Sequence, residues 1–123
     1  MLQERSRIEI IDNSGAVKVA LFAVNGKNGR KYAKVGAIVR GSVKKSSVGG
    51  KISKGEIVSV LITGTKNKTK RKDGSSIRFS SNFGIIVNKN NSEPIGTRVL
   101  GPISREIKEL GFSKVVSLAP EVL

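Results

Sequence analysis

Apolar and polar positions along the 123 residues fall into short strand-like runs separated by glycine-bearing turns. Residues 8–11 make a first run. Asp12-Asn13-Ser14-Gly15 then reads as a tight turn, with Asx-type side-chain bonding and a glycine free to take positive φ. Residues 17–24 place Val17, Val19, Leu21 and Ala23 on one strand face and Lys18, Ala20, Phe22 and Val24 on the other. Both faces are largely apolar, which predicts a strand buried at the heart of the fold. Residues 36–45 alternate as a half-exposed strand, residues 56–62 form a strong strand rich in β-branched side chains, and Gly84-Ile85-Ile86-Val87 is a fifth core run. Polar loops are predicted at residues 25–31, 48–51 and 88–94.

The last thirty residues change character. Residues 97–100 fit a short strand, after which Gly101-Pro102 opens a helical pattern. Ile103, Ile107 and Leu110 stand at i, i+4 and i+7, Arg105 and Glu109 lie one turn apart, and Gly111 sits where a C-terminal cap belongs. Residues 114–118 read as a final strand-like run before Ala119-Pro120. Several short strands with one late helix predict a mainly β fold, a small closed barrel carrying a helical appendage.

One stretch departs from this pattern. Residues 63–76 hold no apolar side chain larger than a threonine methyl, and Asp73-Gly74 is placed to fold the segment into a hairpin. In a strand, Lys66, Lys68, Lys70 and Lys72 share one face at a spacing of about 6.6 Å. Such a row suits an anion beside it. The formal net charge of +14 strengthens this reading, because residues 13–92 carry 17 basic side chains against Glu56 and Asp73 alone. A basic middle between near-neutral ends fits a polyanionic partner, and basic residues set among glycines and β-branched residues favour nucleic acid over a membrane surface.

The sequence offers little for catalysis. With no cysteine and no histidine, thiolate chemistry, disulfides and the usual zinc sites are excluded, and no metal or cofactor is expected. Glu106 and Glu109 are read as a solvated helix face, and Asp12 and Asp73 as turn residues bonding their own backbone. Gly50-Lys51-Ile52-Ser53-Lys54-Gly55 has the glycine spacing of a phosphate loop, but Glu56 stands where the phosphate-binding lysine belongs. No apolar run approaches the roughly 18 to 20 residues of a membrane span, and residues 1–5 do not read as a signal peptide. Among the five aromatics, the phenylalanines are read as core, while Tyr32, beside Arg30, Lys31 and Lys34, is the one whose neighbourhood suits RNA.

These residues resemble a known family, the universal ribosomal large-subunit protein fourteen in its bacterial and organellar form. The resemblance runs along the whole chain. It is carried in order by Asp12-Asn13-Ser14-Gly15-Ala16, Arg30-Lys31-Tyr32-Ala33 with Val35-Gly36, and the basic loop 51–55. It continues through Val60-Leu61-Ile62 followed by Asp73-Gly74, Phe79, Asn82 and Ile85-Ile86, and then Gly96-Thr97-Arg98, Gly101-Pro102, Arg105-Glu106 and residues 117–123. The sequence departs from the family pattern at Ala37, Ser59, Gly64 and Val99-Leu100.

The resemblance implies a single domain, with a five-stranded barrel over about residues 1–95, a projecting basic β-ribbon at 64–79 and a C-terminal region, about 96–123, with one or two short helices. It also implies a structural, non-enzymatic role in the large ribosomal subunit, in the cytoplasm of a bacterium or in a mitochondrion or plastid. The implied partners are large-subunit rRNA, large-subunit proteins three and nineteen, small-subunit rRNA through intersubunit bridges, and a ribosomal silencing factor docked at Thr97, Arg98, Lys114 and Ser117. The residues expected to meet RNA are Lys27, Arg30, Lys31, Tyr32, Lys34, Lys44, Lys45, Lys51, Lys54, Lys66, Lys68, Lys70, Arg71, Lys72, Arg78 and Arg98. The competing readings are a free single-strand nucleic-acid-binding barrel and a regulatory adaptor for which RNA is incidental.

Overall fold

The computed structural model of the protein describes residues 7–23, 34–48, 50–88 and 93–123. Five strands close into a barrel: β1 (Arg7–Ile10), β2 (Ala16–Ala23), β3 (Ile38–Ser46), β4 (Ile57–Gly64) and β7 (Phe83–Val87). Neighbours pair antiparallel in the order β1-β2-β3-β4-β7, and the barrel closes where β7 meets β1 in parallel, Glu9 opposite Phe83 and Ile10 opposite Gly84. Closure leaves no free edge among these strands, so no backbone row is open to a stray strand. The fold expected from the sequence is thus present: mainly strands, a closed five-stranded barrel, and two short C-terminal helices, α1 (Glu106–Glu109) and α2 (Ser113–Leu118).

Two apolar clusters hold this arrangement together. The barrel interior is filled by Ile8, Val19, Leu21, Val39, Val43, Val58, Val60, Ile62 and Ile86. The alternate side chains of β4 and β7, Leu61, Ile85 and Val87, point out of the barrel into a second cluster with Val99, Ile103, Ile107 and Val115. Every residue of β4 after Ile57 is therefore buried, because the C-terminal segment lies across its outer face. β3, with no such cover, alternates buried and exposed as the sequence pattern predicts.

Four local expectations are corrected. β2 is not buried on both faces: Val19 and Leu21 fill the barrel, but Lys18 and Phe22 face outward and Phe22 is 42% exposed. A barrel has one interior, and nothing among the described residues covers the outside of β2. Residues 114–118 form helix α2, not a strand, with Val115 buried and Val116 and Leu118 packed beside it. A short apolar run fits either period, and here the Gly111 bend at φ +90° starts a new turn of helix. The helix expected from residue 101 onward is shorter, because Ile103 pairs with Val122 as a parallel bridge and only Ile107 of the predicted stripe lies in α1's buried face. Leu110 is largely exposed. Residues 97–100 form no named strand among the described residues, only the bridge from Asp12 to Val99.

The basic segment leaves β4 and returns to β7 as a hairpin of two short strands, β5 (Thr69–Lys70) and β6 (Ser76–Ile77). Arg71 N–H donates to Ser75 O at 2.9 Å and Gly74 N–H to Arg71 O at 3.1 Å, with Gly74 at φ +89°. This is a three-residue turn whose last position needs a left-handed conformation that glycine adopts at little cost. Asp73 completes it by accepting from the Ser75 hydroxyl and N–H, and those bonds hold its carboxyl below the usual range. At the root of the hairpin the Phe79 ring lies directly on Gly64, where an added Cβ would come within 2.8 Å of the ring, and Phe79 packs edge-on against Phe83 at 6.1 Å.

Candidate nucleic-acid interface

The predicted contact residues fall into three described groups and one outside. Lys27, Arg30, Lys31 and Tyr32 lie outside the described residues. Lys66, Lys68, Lys70, Lys72 and Arg78 are exposed on the hairpin. The four lysines do not form one continuous strand face, because pairing is confined to Thr69–Lys70 with Ser76–Ile77 and residues 66–68 bend. Lys70 and Lys72 still point out together, on either side of half-buried Arg71. Lys34 joins them: with Val35, Thr65, Asn67, Lys68, Thr69 and Lys70 it lines a cleft of about 340 Å³ between the hairpin base and the segment entering β3. Among the described residues, no acidic side chain lines this cleft.

A second group, Lys44, Lys45, Lys51 and Lys54, is exposed at the end of β3 and in the loop that follows. That loop is held by Lys51 N–H donating to Ser14 O at 3.1 Å and Ser47 N–H to Gly15 O at 2.7 Å. The Asp12-to-Gly15 turn therefore fixes where these lysines stand. Asp12 is itself buried and accepts from the Ser14 hydroxyl at 2.6 Å, Ser14 N–H at 3.1 Å and Ile86 N–H at 2.9 Å. Burial pushes its carboxyl up, and the bonds from Ser14 and Ile86 pull the other way. This is the turn role expected of it, carried out at the seam of the barrel.

Arg71 is turned away from the row of lysines. Its Nε donates to Glu106 Oε1 at 2.9 Å with the two side chains only 17% and 20% exposed, and its Nη2 donates to the Leu123 backbone oxygen. Glu106 in turn accepts from the Ser104 hydroxyl. Glu106 is thus a half-buried anchor for the hairpin and not part of a solvated face. Among the described residues, only Arg71 and Lys114 have a carboxylate within 4 Å, so the other described hairpin and loop cations carry charge without an acidic partner. Lysines side by side repel by roughly 0.6 kcal/mol per pair in water at about 7 Å, a cost that an anion laid along them removes.

Arg98 is exposed on a segment held by Asn13, whose Oδ1 accepts from Thr97 N–H at 2.8 Å and Arg98 N–H at 3.0 Å and whose Nδ2 donates to Thr97 Oγ1. Thr97, Lys114 and Ser117 line one cleft of about 380 Å³ between this segment and α2, together with Glu93, Pro94, Gly96 and Leu118. Lys114 pairs with Glu93 at its edge. Arg98 is the one member of the predicted docking set that does not line that cleft.

On the outer face of β2 and β3, two exposed cations, Lys18 and Arg40, fall outside the set expected from sequence. The alternation of β3 is a usable signal for one of them, since it puts Arg40 on the same face as Lys44.

What these groups share is a closed barrel whose loops and hairpin hold cations outward. Among known families, the model of ribosomal protein L14p/L23e matches residues 1–123. The chain therefore belongs to the ribosomal protein L14p/L23e family, structural rather than enzymatic components of the large ribosomal subunit.

Proposed function

We propose that the protein binds large-subunit rRNA at the subunit interface, with the hairpin 64–79, the loop 44–54 and Lys34 laid against phosphates. The observation that carries this is the set of outward cations without acidic partners, fixed in place by the barrel's own hydrogen bonds. Structured RNA is recognised largely through phosphates, shape and 2′-hydroxyls, which lysine and arginine suit. Lys27, Arg30, Lys31 and Tyr32 are RNA contacts in this proposal too, as is Arg98, whose segment is held by the same 12–15 turn that holds the Lys51 loop. Contacts with large-subunit proteins three and nineteen and with small-subunit rRNA across the interface complete the assembly. The cleft lined by Thr97, Lys114 and Ser117 supports docking of a silencing factor, with Arg98 at its margin.

The test replaces Lys66, Lys68, Lys70 and Lys72 together by glutamate. The expected outcome is loss of co-sedimentation with large subunits and of affinity for rRNA fragments, with the melting temperature little changed because these side chains are exposed. Wild-type affinity for the fragments should fall with several powers of salt concentration. Unchanged co-sedimentation of the variant, or a flat salt dependence, sinks the electrostatic reading.

A further inference from the structure

The outer face of β2 and β3 carries a feature that phosphate neutralisation does not use. Phe22 is 42% exposed, and the Arg40 guanidinium carbon lies 5.8 Å from its ring centroid. Arg40 has no carboxylate within 4 Å among the described residues, so the aromatic ring is the partner that orients it. Ile38, two residues along the same strand face, and Ile57, across from Ser42, are exposed beside Arg40 and widen the flat surface. Lys18 and Lys44 stand on the same outer face, and neither β2 nor β3 contains an aspartate or glutamate. Exposed Glu9 of β1 stands across from Lys18 without an ion pair to it, and Glu56 borders the cleft that Arg40 and Ile57 share, with its carboxylate accepting from Ser53 N–H at 3.0 Å.

We infer that Phe22 and Arg40 form a stacking platform for an unpaired RNA base, with Lys18 and Lys44, side by side at one end of the platform, for the phosphates leading away from it. An aromatic ring with a guanidinium over it offers a π-face and a cationic plane to any base, whatever its identity, and the lysines supply the charge that holds the strand there. A protein partner would find an apolar surface here too. The three cations outnumber the one acid on the strands of this face, Glu9 of β1, and this favours a polyanion. The inference rests on the reading of the chain as an rRNA-binding protein, and adds to it a contact with a single-stranded segment.

The full chain contains no tryptophan, so F22W places a single reporter at the site. The probes are a mixed-sequence single-stranded RNA of about 20 nucleotides and a duplex of the same length. Stacking predicts that the single strand quenches F22W emission and the duplex does not. It also predicts that F22A and F22L each weaken single-strand binding by about 5- to 100-fold while leaving duplex affinity unchanged. Leucine matters because it keeps apolar bulk and removes the π-face. The melting temperature of all three variants should stay near wild type, since Phe22 is outside the core. If wild type binds both RNAs and F22A and F22L bind the single strand equally well, the platform is wrong and the rRNA reading stands. Should wild type bind neither RNA, the rRNA reading fails and the platform with it. Loss of binding to a purified large-subunit protein in F22A, with RNA binding intact, makes the patch a protein interface and overturns the inference.

Discussion

The two sides of the barrel differ in composition and end up doing opposite things: β2 and β3 carry Lys18, Arg40, Lys44 and Lys45, and β4 and β7 carry no charged side chain. β4 and β7 are buried on both faces, inward by Val58, Val60, Ile62 and Ile86 and outward by Leu61, Ile85 and Val87 under the C-terminal segment. β2 and β3 are buried on one face, and their other face shows Lys18, Phe22, Arg40 and Lys44. The difference lies both in what covers each strand and in the charge the strand carries. One side of the barrel is its foundation, and the other turns its cations outward.

Breaking the covered side should therefore cost stability, and breaking the open side should not. Leu61→Ala removes a fully buried side chain between β4 and α1's cluster, and the expected loss is about 2–5 kcal/mol by chemical denaturation. Arg40→Ala on the open face should stay within about 0.5 kcal/mol of wild type. Comparable losses in the two variants would show that the open face is packed in solution and defeat the comparison. A smaller effect belongs to the hairpin root: Gly64→Ala forces a Cβ against the Phe79 ring, whose three nearest atoms lie 2.8–3.0 Å from it, at about 1–3 kcal/mol. Gly64→Ala combined with Phe79→Leu should recover part of that loss if the clash is its cause.

The seam between the two sides offers a measurement with a sign. Asp12→Asn keeps the shape but turns an NH₂ toward one of the three donors now satisfied by the carboxylate, leaving a buried N–H unmet at a cost of about 1–3 kcal/mol near neutral pH. Because burial raises Asp12's pKa in the folded state, the folded protein holds that proton more tightly than the unfolded chain. This group's contribution is most favourable below its unfolded value and is lost as pH rises through the folded one. The stability gap between wild type and Asp12→Asn should thus widen as pH is lowered through that window. A gap that narrows would mean that the hydrogen bonds outweigh burial.

Much of this is legible in the sequence. The barrel strands follow from β-branched runs and glycine turns, and the short-range roles of Asp12 and Asp73 follow from their place two residues before a serine. What is not legible depends on distant chain. Phe22 reads as core because period-two alternation cannot say which face is covered, and the cover for β4 comes from the far C-terminal segment, Val99 to Val115. Residues 114–118 read as extended because a segment this short, with only Val115, Val116 and Leu118 apolar, fits either period, and packing on Ile107 decides for helix. Gly64, a departure from the resembled family, is explained by the Phe79 ring that rests on it.

Arg71 ties the exposed hairpin that joins β4 to β7 back to the covered side, although it sits in sequence among lysines. Its guanidinium reaches Glu106 and the Leu123 backbone, so the hairpin is fastened to α1 and the last residue by one side chain. Arg71→Ala should cost only about 1 kcal/mol, since an ion pair near the surface gains little over its hydrated parts. Its effect on RNA is more telling. If Arg71 is an anchor, Arg71→Ala and Glu106→Gln should weaken binding to rRNA fragments to a similar degree, although one removes a positive charge and the other a negative one. Neither should change the salt slope, whereas Lys70→Ala should lower it by about 0.7 to 0.9, the share of one neutralised phosphate. If Arg71 meets phosphate directly, Arg71→Ala will lower the slope as Lys70→Ala does, and Glu106→Gln will strengthen binding by freeing the guanidinium. The opposite signs of the Glu106→Gln effect separate the two roles without reference to stability.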